Sequence, residues 1–217
     1  MKKTLWVTVL KLISMIKNIV FDFGDVFINL DKEATFRRLK ELGVKEFTDE
    51  LLKLGKQYEM GIITTQEFVK TFKTLFPSIS EIDFKNAWNS MLLDFPPHRL
   101  SFLKALANSK KYRIFLLSNT NDLHISWIQK TWGRKLFSEF KNYFEKFYLS
   151  HEIHLRKPNK DIYEFVIESN KLTPEETFFV DDTEENIVMA NKLGIKTWHI
   201  NPNSEDVVDL FSKKEFN

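Results

Sequence analysis

Residues 16–26 read Ile16-Lys17-Asn18-Ile19-Val20-Phe21-Asp22-Phe23-Gly24-Asp25-Val26. The first six are mostly β-branched or aromatic, the pattern of a strand buried on both faces, and the run delivers an acid, Asp22, at its carboxyl tip. The pattern recurs toward the C-terminus: 113–117 (RIFLL) ends at Ser118, 146–149 reads KFYL, 177–180 (TFFV) ends at Asp181-Asp182, and 197–200 reads TWHI. Helical spacings separate these runs. Leu100, Leu103 and Leu106 line one helix, 161–169 reads as another, and 184–193 as a third that Gly194 closes at its C-terminal cap. Apolar strands alternating with helices predict an α/β fold, a parallel sheet with helices on both faces.

Between the first strand and the second lies a stretch of different character. From Asp31 to Met91 the apolar residues keep helical periods: Phe36, Leu39 and Leu42; Leu51, Leu54 and Tyr58; Phe84, Trp88 and Met91. Thr64-x-x-Glu67 is a capping box and Ser80-x-x-Asp83 a capping pair of similar logic. No strand signal interrupts this segment. The expected organisation is an α/β core of residues 16–30 and 92–217, with 31–91 inserted as an all-helical cap and 1–15 preceding it as a short extension.

The chain has 217 residues, 43% hydrophobic and 29% charged, enough for a sizeable core and unlike a disordered composition. With 32 Lys+Arg against 30 Asp+Glu the net charge is +2, which argues against nucleic-acid binding through bulk charge. The 21 Phe and 5 Trp read as core rather than stacking platforms, including Trp127, Trp132 and the Phe-rich segment 137–147. No Cys is present, so disulfides, zinc–thiolate sites and thiol nucleophiles are excluded. Residues 1–15 (MKKTLWVTVLKLISM) resemble the front of a signal peptide, but Lys11 interrupts the apolar run and no small-x-small cleavage site follows. The run is also far shorter than the ~20 apolar residues of a membrane span. A cytoplasmic monomer is expected.

The polar residues gather at strand ends, where open parallel sheets bind ligands. A lone Asp after a strand commonly just starts a turn or caps a helix. Asp22, Ser118, Arg156-Lys157 after the KFYL strand, and Asp181-Asp182 together are a sharper constellation. They offer a carboxylate nucleophile, a hydroxyl donor, an ammonium and acids for a hard divalent ion, the parts of a phosphoryl-transfer site.

Four segments resemble, in order, the motifs of the haloacid dehalogenase superfamily: Asp22-Phe23-Gly24-Asp25-Val26, Leu116-Leu117-Ser118-Asn119-Thr120, Arg156-Lys157-Pro158, and Phe179-Val180-Asp181-Asp182-x-x-x-Asn186. The resemblance spans Ile16 to about Asn201 and implies a Rossmann-like core with the cap between the first and second motifs. Leu117-Ser118-Asn119-Thr120-Asn121-x-Leu123-His124, Tyr148-Leu149-Ser150 and Arg156-Lys157-Pro158 look most like the α-D-glucose-1-phosphate phosphatase group of that family.

What the resemblance implies is a Mg²⁺-dependent phosphatase of small phosphorylated metabolites, sugar 1-phosphates among them, working through an aspartyl-phosphate. Asp22 would be the nucleophile. Ser118 and the backbone N–H of Asn119 would hold phosphoryl oxygens, and Lys157 would set a positive charge beside the nucleophile. Asp22, the carbonyl of Gly24, Asp181 and Asp182 would hold Mg²⁺, with Asp182 the direct ligand and Asp181 the outer one. His124 reads as a structural helix residue. The alternatives are a haloacid dehalogenase-type hydrolase, which needs no metal and leaves the Asp181-Asp182 pair unexplained, and a non-catalytic binding module, which would not need Asp22.

The chain departs from the wider superfamily at one position. Most of its phosphatases and mutases carry a second Asp two residues after the nucleophile as general acid and base; here that residue is Gly24, and Asp25 is one place further on. Alternate residues of extended chain face opposite sides, so Asp25 cannot simply replace it. The glucose-1-phosphate phosphatases share this Gly. Without the acid, leaving groups that depart easily as anions are favoured, and a mutase, which shuttles protons both ways, is disfavoured.

Overall fold

In the computed structural model, which describes residues 15–214 and Phe216, Asn18–Phe21 forms β1 at the centre of a five-stranded parallel sheet. The strand order is β3-β2-β1-β4-β5, with β2 at Arg113–Ser118, β3 at Lys146–Leu149, β4 at Thr177–Asp181 and β5 at Lys196–His199. All four pairings are parallel. Phe21 is level with Leu116 on one side and Val180 on the other, so Asp22 and Asp181 leave the sheet side by side.

Alternation along the strands splits the core in two. Ile19, Phe21, Leu116, Phe178 and Val180 face one layer; Val20, Phe115, Leu117 and Phe179 face the other. The first layer is closed by α5 (Pro97–Ser109), α6 (Asp122–Trp132), α7 (Arg134–Lys141) and the 3₁₀ turn Val207–Ser212. Much of the phenylalanine sits there: Phe23 stacks on Phe140 with centroids 5.3 Å apart, and Trp132 stacks on Phe95 at 4.3 Å. The second layer is closed by α9 (Lys160–Asn170) and α10 (Glu184–Lys192). A single turn, α8 (Ser150–Ile153), follows β3, and a 3₁₀ turn, Pro174–Glu176, precedes β4.

The inserted segment folds as α1 (Ala34–Glu41), α2 (Asp49–Glu59), α3 (Thr65–Leu75) and α4 (Glu81–Asn89) around a separate apolar cluster. Thr64 and Glu67 close the capping box read from the sequence, and the Ser80 hydroxyl caps α4. One residue of the core, Leu123 of α6, is buried inside this cluster.

Polar bonds fasten the same contact. Tyr58 Oη accepts from the Leu123 N–H at 3.0 Å, Trp88 Nε1 donates to Asn121 Oδ1 at 3.3 Å, and Ser150 Oγ donates to the Glu59 carbonyl at 2.6 Å. His124 is part of this seam, bonded to Asn121 and the Trp88 carbonyl. Burial pulls its pKa down to about 4, so it stays neutral, as a structural histidine should.

The strands and helices differ from the sequence reading mainly at their ends. The first strand starts at Asn18 rather than Ile16, because Ile16 only packs beneath the sheet while Lys17 makes one backbone bond each to Glu176 and Arg113. The last strand is shifted one residue earlier, to Lys196–His199. The extension 1–15 lies outside the described residues apart from Met15, which is exposed.

Candidate active site

Asp22 follows β1 directly, and its N–H still bonds the Val180 carbonyl at 2.9 Å, so the strand holds its backbone rigidly. Its side chain is nearly enclosed. Lys157, 1% exposed, reaches in from the loop after α8 and places Nζ 2.8 Å from Asp22 Oδ1 and 2.6 Å from Asp181 Oδ2. The ammonium also lies 5.3 Å from the centre of the Phe179 ring. Burial works against the charge on Lys157, but the Asp181 and Asp22 carboxylates outweigh it and raise its pKa. Asp22 is pushed up to about 7 by burial, against the pull of Lys157, with Asp181 and Asp182 adding to the rise.

Asp181 is fully buried and heavily bonded. Oδ1 accepts from the Thr183 N–H at 2.8 Å and from Asn186 Nδ2 at 3.0 Å; Oδ2 accepts from Lys157 and again from Asn186 at 3.0 Å. Asp182 is different, for among the described residues its only ion pair is with Lys32. Burial pushes its carboxyl pKa up, an effect that Lys32 opposes. Asp22, Asp181 and Asp182 bring carboxylate oxygens within 4.8 Å of one another.

Four carboxylates (Asp22, Asp25, Asp181 and Asp182) therefore share two ammoniums, Lys32 and Lys157, through the bonds described. The formal surplus is two negative charges in an all-oxygen setting. That donor set fits a hard divalent cation such as Mg²⁺.

Ser118 ends β2, buried, on the strand next to Asp22. Asn119 follows, and its side chain performs a task the sequence did not reveal. Oδ1 accepts from the Lys157 N–H and Nδ2 donates to the Lys157 carbonyl, both at 2.9 Å, clamping the lysine's backbone to the end of β2. The Lys157–Pro158 peptide within this clamp is cis. Arg156 pairs with Glu59 at the end of α2, at 2.8 Å, and not with the Asp22 cluster.

Gly24 lies where a Cβ would be 4.0 Å from Asp22 Oδ2, so position 24 faces the Asp22 carboxylate. Asp25 faces elsewhere. It takes a left-handed backbone conformation (φ 54°), accepts from the Leu30 N–H at 2.9 Å and pairs with Lys32 at 3.2 Å. Asn119, Asn186 and Lys32 thus join the constellation. Asn186 stood in the fourth motif without a role, and no local pattern marked Lys32.

The chain is similar to known proteins over most of its length. Residues 4–194 match the family described as haloacid dehalogenase-like hydrolase. A D-ribitol-5-phosphate phosphatase of Bacteroides thetaiotaomicron is 31% identical over 190 residues, covering 85% of this chain and 91% of the relative. The crystal structure of a HAD family enzyme from the same organism, an aspartate-to-alanine mutant in complex with magnesium and inorganic phosphate, has a TM-score of 0.79 at 37% identity, covering 91% of this chain and all of that one. A predicted HAD-like family hydrolase from Porphyromonas gingivalis has a TM-score of 0.79 at 31% identity, covering 91% of this chain and 97% of its own.

Proposed function

The chain belongs to the haloacid dehalogenase-like hydrolases, and we propose that it is a magnesium-dependent phosphatase of a small phosphorylated sugar or sugar alcohol. The observation that carries this reading is the strand-end cluster: Asp22 bonded to buried Lys157, with Asp181 and Asp182 beside it and a surplus of negative charge. The relative that hydrolyses D-ribitol 5-phosphate and the similar structure that holds magnesium and phosphate support the same chemistry.

Asp22, the Gly24 carbonyl and Asp182 would hold the ion directly. Asp181 has both oxygens bonded within the protein and would act through Lys157 or water. When bound, Mg²⁺ supplies charge neutralisation that lets an anionic phosphate approach an anionic carboxylate.

In the first step an Asp22 oxygen bonds to phosphorus and the ester P–O bond breaks, releasing the alkoxide, which takes a proton from water. In the second step water attacks the phosphorus of the aspartyl-phosphate. Orthophosphate leaves and the Asp22 carboxylate is restored. Lys157 keeps Asp22 placed and offsets the charge that gathers around it, while the Ser118 hydroxyl and Asn119 N–H, at the end of the adjoining strand, would donate to phosphoryl oxygens.

Substrate selection belongs to the helices of 34–89, which are docked beside this end of the sheet through Tyr58, Glu59 and Trp88. Ribitol 5-phosphate is the first compound to test, after the relative. A sugar 1-phosphate is the second, because Gly24 supplies no acid to the leaving group. Phosphate release from an aryl phosphate and from these two compounds should require Mg²⁺, stop in excess chelator and vanish in Asp22→Asn. Full turnover in chelator would overturn the metal reading, and turnover of Asp22→Asn within tenfold of wild type would remove Asp22 as nucleophile.

A further inference from the structure

Lys32 stands on the crossover that leads from β1 into α1, one residue beyond Asp31 and two before Ala34. Half of its side chain is exposed, yet its ammonium is turned inward onto two nearly buried acids: Asp182 Oδ2 in a short contact, and Asp25 Oδ2 at 3.2 Å. Asp25 is itself held in place, with its other oxygen on the Leu30 N–H at 2.9 Å and its backbone left-handed. No other ion pair reaches Asp182 among the described residues. An acid of the trio that lacks the many internal bonds of Asp181 is therefore covered by a cation from the chain's own crossover.

We propose that Lys32 is the resident counter-cation of Asp182, covering that carboxylate in the metal-free protein and opposing the divalent ion that takes its place. The inference rests on the metal reading above. A cation entering between Asp22 and Asp182 meets a positive charge already within hydrogen-bonding distance of one of its ligands. Because Lys32 is half exposed, water screens this repulsion, and at such separations in a water-like dielectric it is worth roughly tenfold in affinity. In exchange, Lys32 keeps the crowded Asp25 and Asp182 carboxylates tolerable when no ion is bound, and it places the protein's response to metal on the segment that enters the helical insertion.

The test is calorimetric titration of wild type, Lys32→Met and Lys32→Arg with MgCl₂, alongside thermal melts in chelator and in saturating Mg²⁺. Lys32→Met should bind Mg²⁺ roughly three- to tenfold more tightly than wild type. It should melt lower than wild type in chelator, and the gap should narrow in Mg²⁺. Lys32→Arg keeps the charge and should stay within about twofold of wild-type affinity. Unchanged or weaker binding by Lys32→Met overturns the proposal, as does equal tightening in both variants, which would show that charge is not the cause. A wild-type protein that binds no Mg²⁺ at millimolar concentration would instead overturn the metal reading, and this inference with it.

Discussion

Lys157 Nζ lies 2.8 Å from Asp22 Oδ1, and because both side chains are nearly inaccessible, removing the ammonium strands the carboxylate's charge. Asp181 completes the arrangement at 2.6 Å from the same ammonium. Lys157→Met should therefore lower the unfolding free energy by about 3 kcal/mol at pH 8 in chelator. The loss should shrink at pH 5, where Asp22 accepts a proton in place of its lost partner. Urea unfolding at the two pH values measures this, and a loss that ignores pH would contradict it.

Asp22 itself carries a pH signature. Burial pushes its pKa from the ordinary 3.8 up to about 7, so the folded chain holds this proton more tightly than the unfolded chain. That contribution to stability is full below the unfolded value and is lost as pH rises through the folded one. The metal-free wild type should thus lose stability between about pH 4 and pH 7 from this group. Asp22→Asn, which carries no charge to bury, should melt higher than wild type at pH 8 in chelator, by about 3–6 °C, and level with it below about pH 4. Parallel melting curves across that range would show that Asp22 is not held in the protonated form.

The two adjacent acids should part company. Asp181 accepts four hydrogen bonds inside the protein, whereas Asp182 is paired only with Lys32 among the described residues. Asp182→Asn should weaken Mg²⁺ binding by tenfold or more with only a small change in melting temperature, about 3 °C or less. Asp181→Asn should lower the melting temperature more, because it removes a buried partner of Lys157 and turns an acceptor into a donor facing Asn186. Calorimetry and melting curves on both variants separate the roles, and the reverse pattern would exchange them.

The strands were legible because each joins a dense β-branched or aromatic run to a polar end, and the caps at Thr64 and Ser80 because capping is decided within four residues. The site's outline was legible for the same reason, since parallel strands bring their carboxyl ends together whatever lies between. What stayed hidden depends on distance along the chain. Lys32 meets Asp182 across 150 residues, and Asn119 clamps Lys157 across 38, and no local pattern encodes either meeting.

Gly24 and Leu30 carry the last prediction. A Cβ on Gly24 would lie 2.6 Å from Leu30 Cδ1, far inside contact distance, and 4.0 Å from Asp22 Oδ2. Position 24 thus faces the Asp22 carboxylate, and Leu30 fills the space a side chain there would need. Gly24 does not have the positive φ that Gly43 or Gly61 has, so the obstacle to an acid is the neighbouring side chain rather than the backbone. Gly24→Asp alone must push the end of Leu30 aside, and it also adds a carboxylate beside Asp22 whose repulsion Mg²⁺ must offset. Gly24→Asp with Leu30→Ala opens the space. In the double variant an acid can protonate a departing alkoxide and then draw a proton from the attacking water, a contribution worth ~10²–10⁴-fold where it is complete. The gain should fall on poor leaving groups, so the quantity to measure is kcat/KM on a sugar 6-phosphate divided by kcat/KM on a sugar 1-phosphate, a ratio from which any general loss of folded enzyme cancels. It should rise by about tenfold in the double variant, less in Gly24→Asp alone, and not at all in Leu30→Ala. A flat ratio in a double variant with native circular dichroism would mean that the absent acid does not limit which phosphate esters this protein hydrolyses.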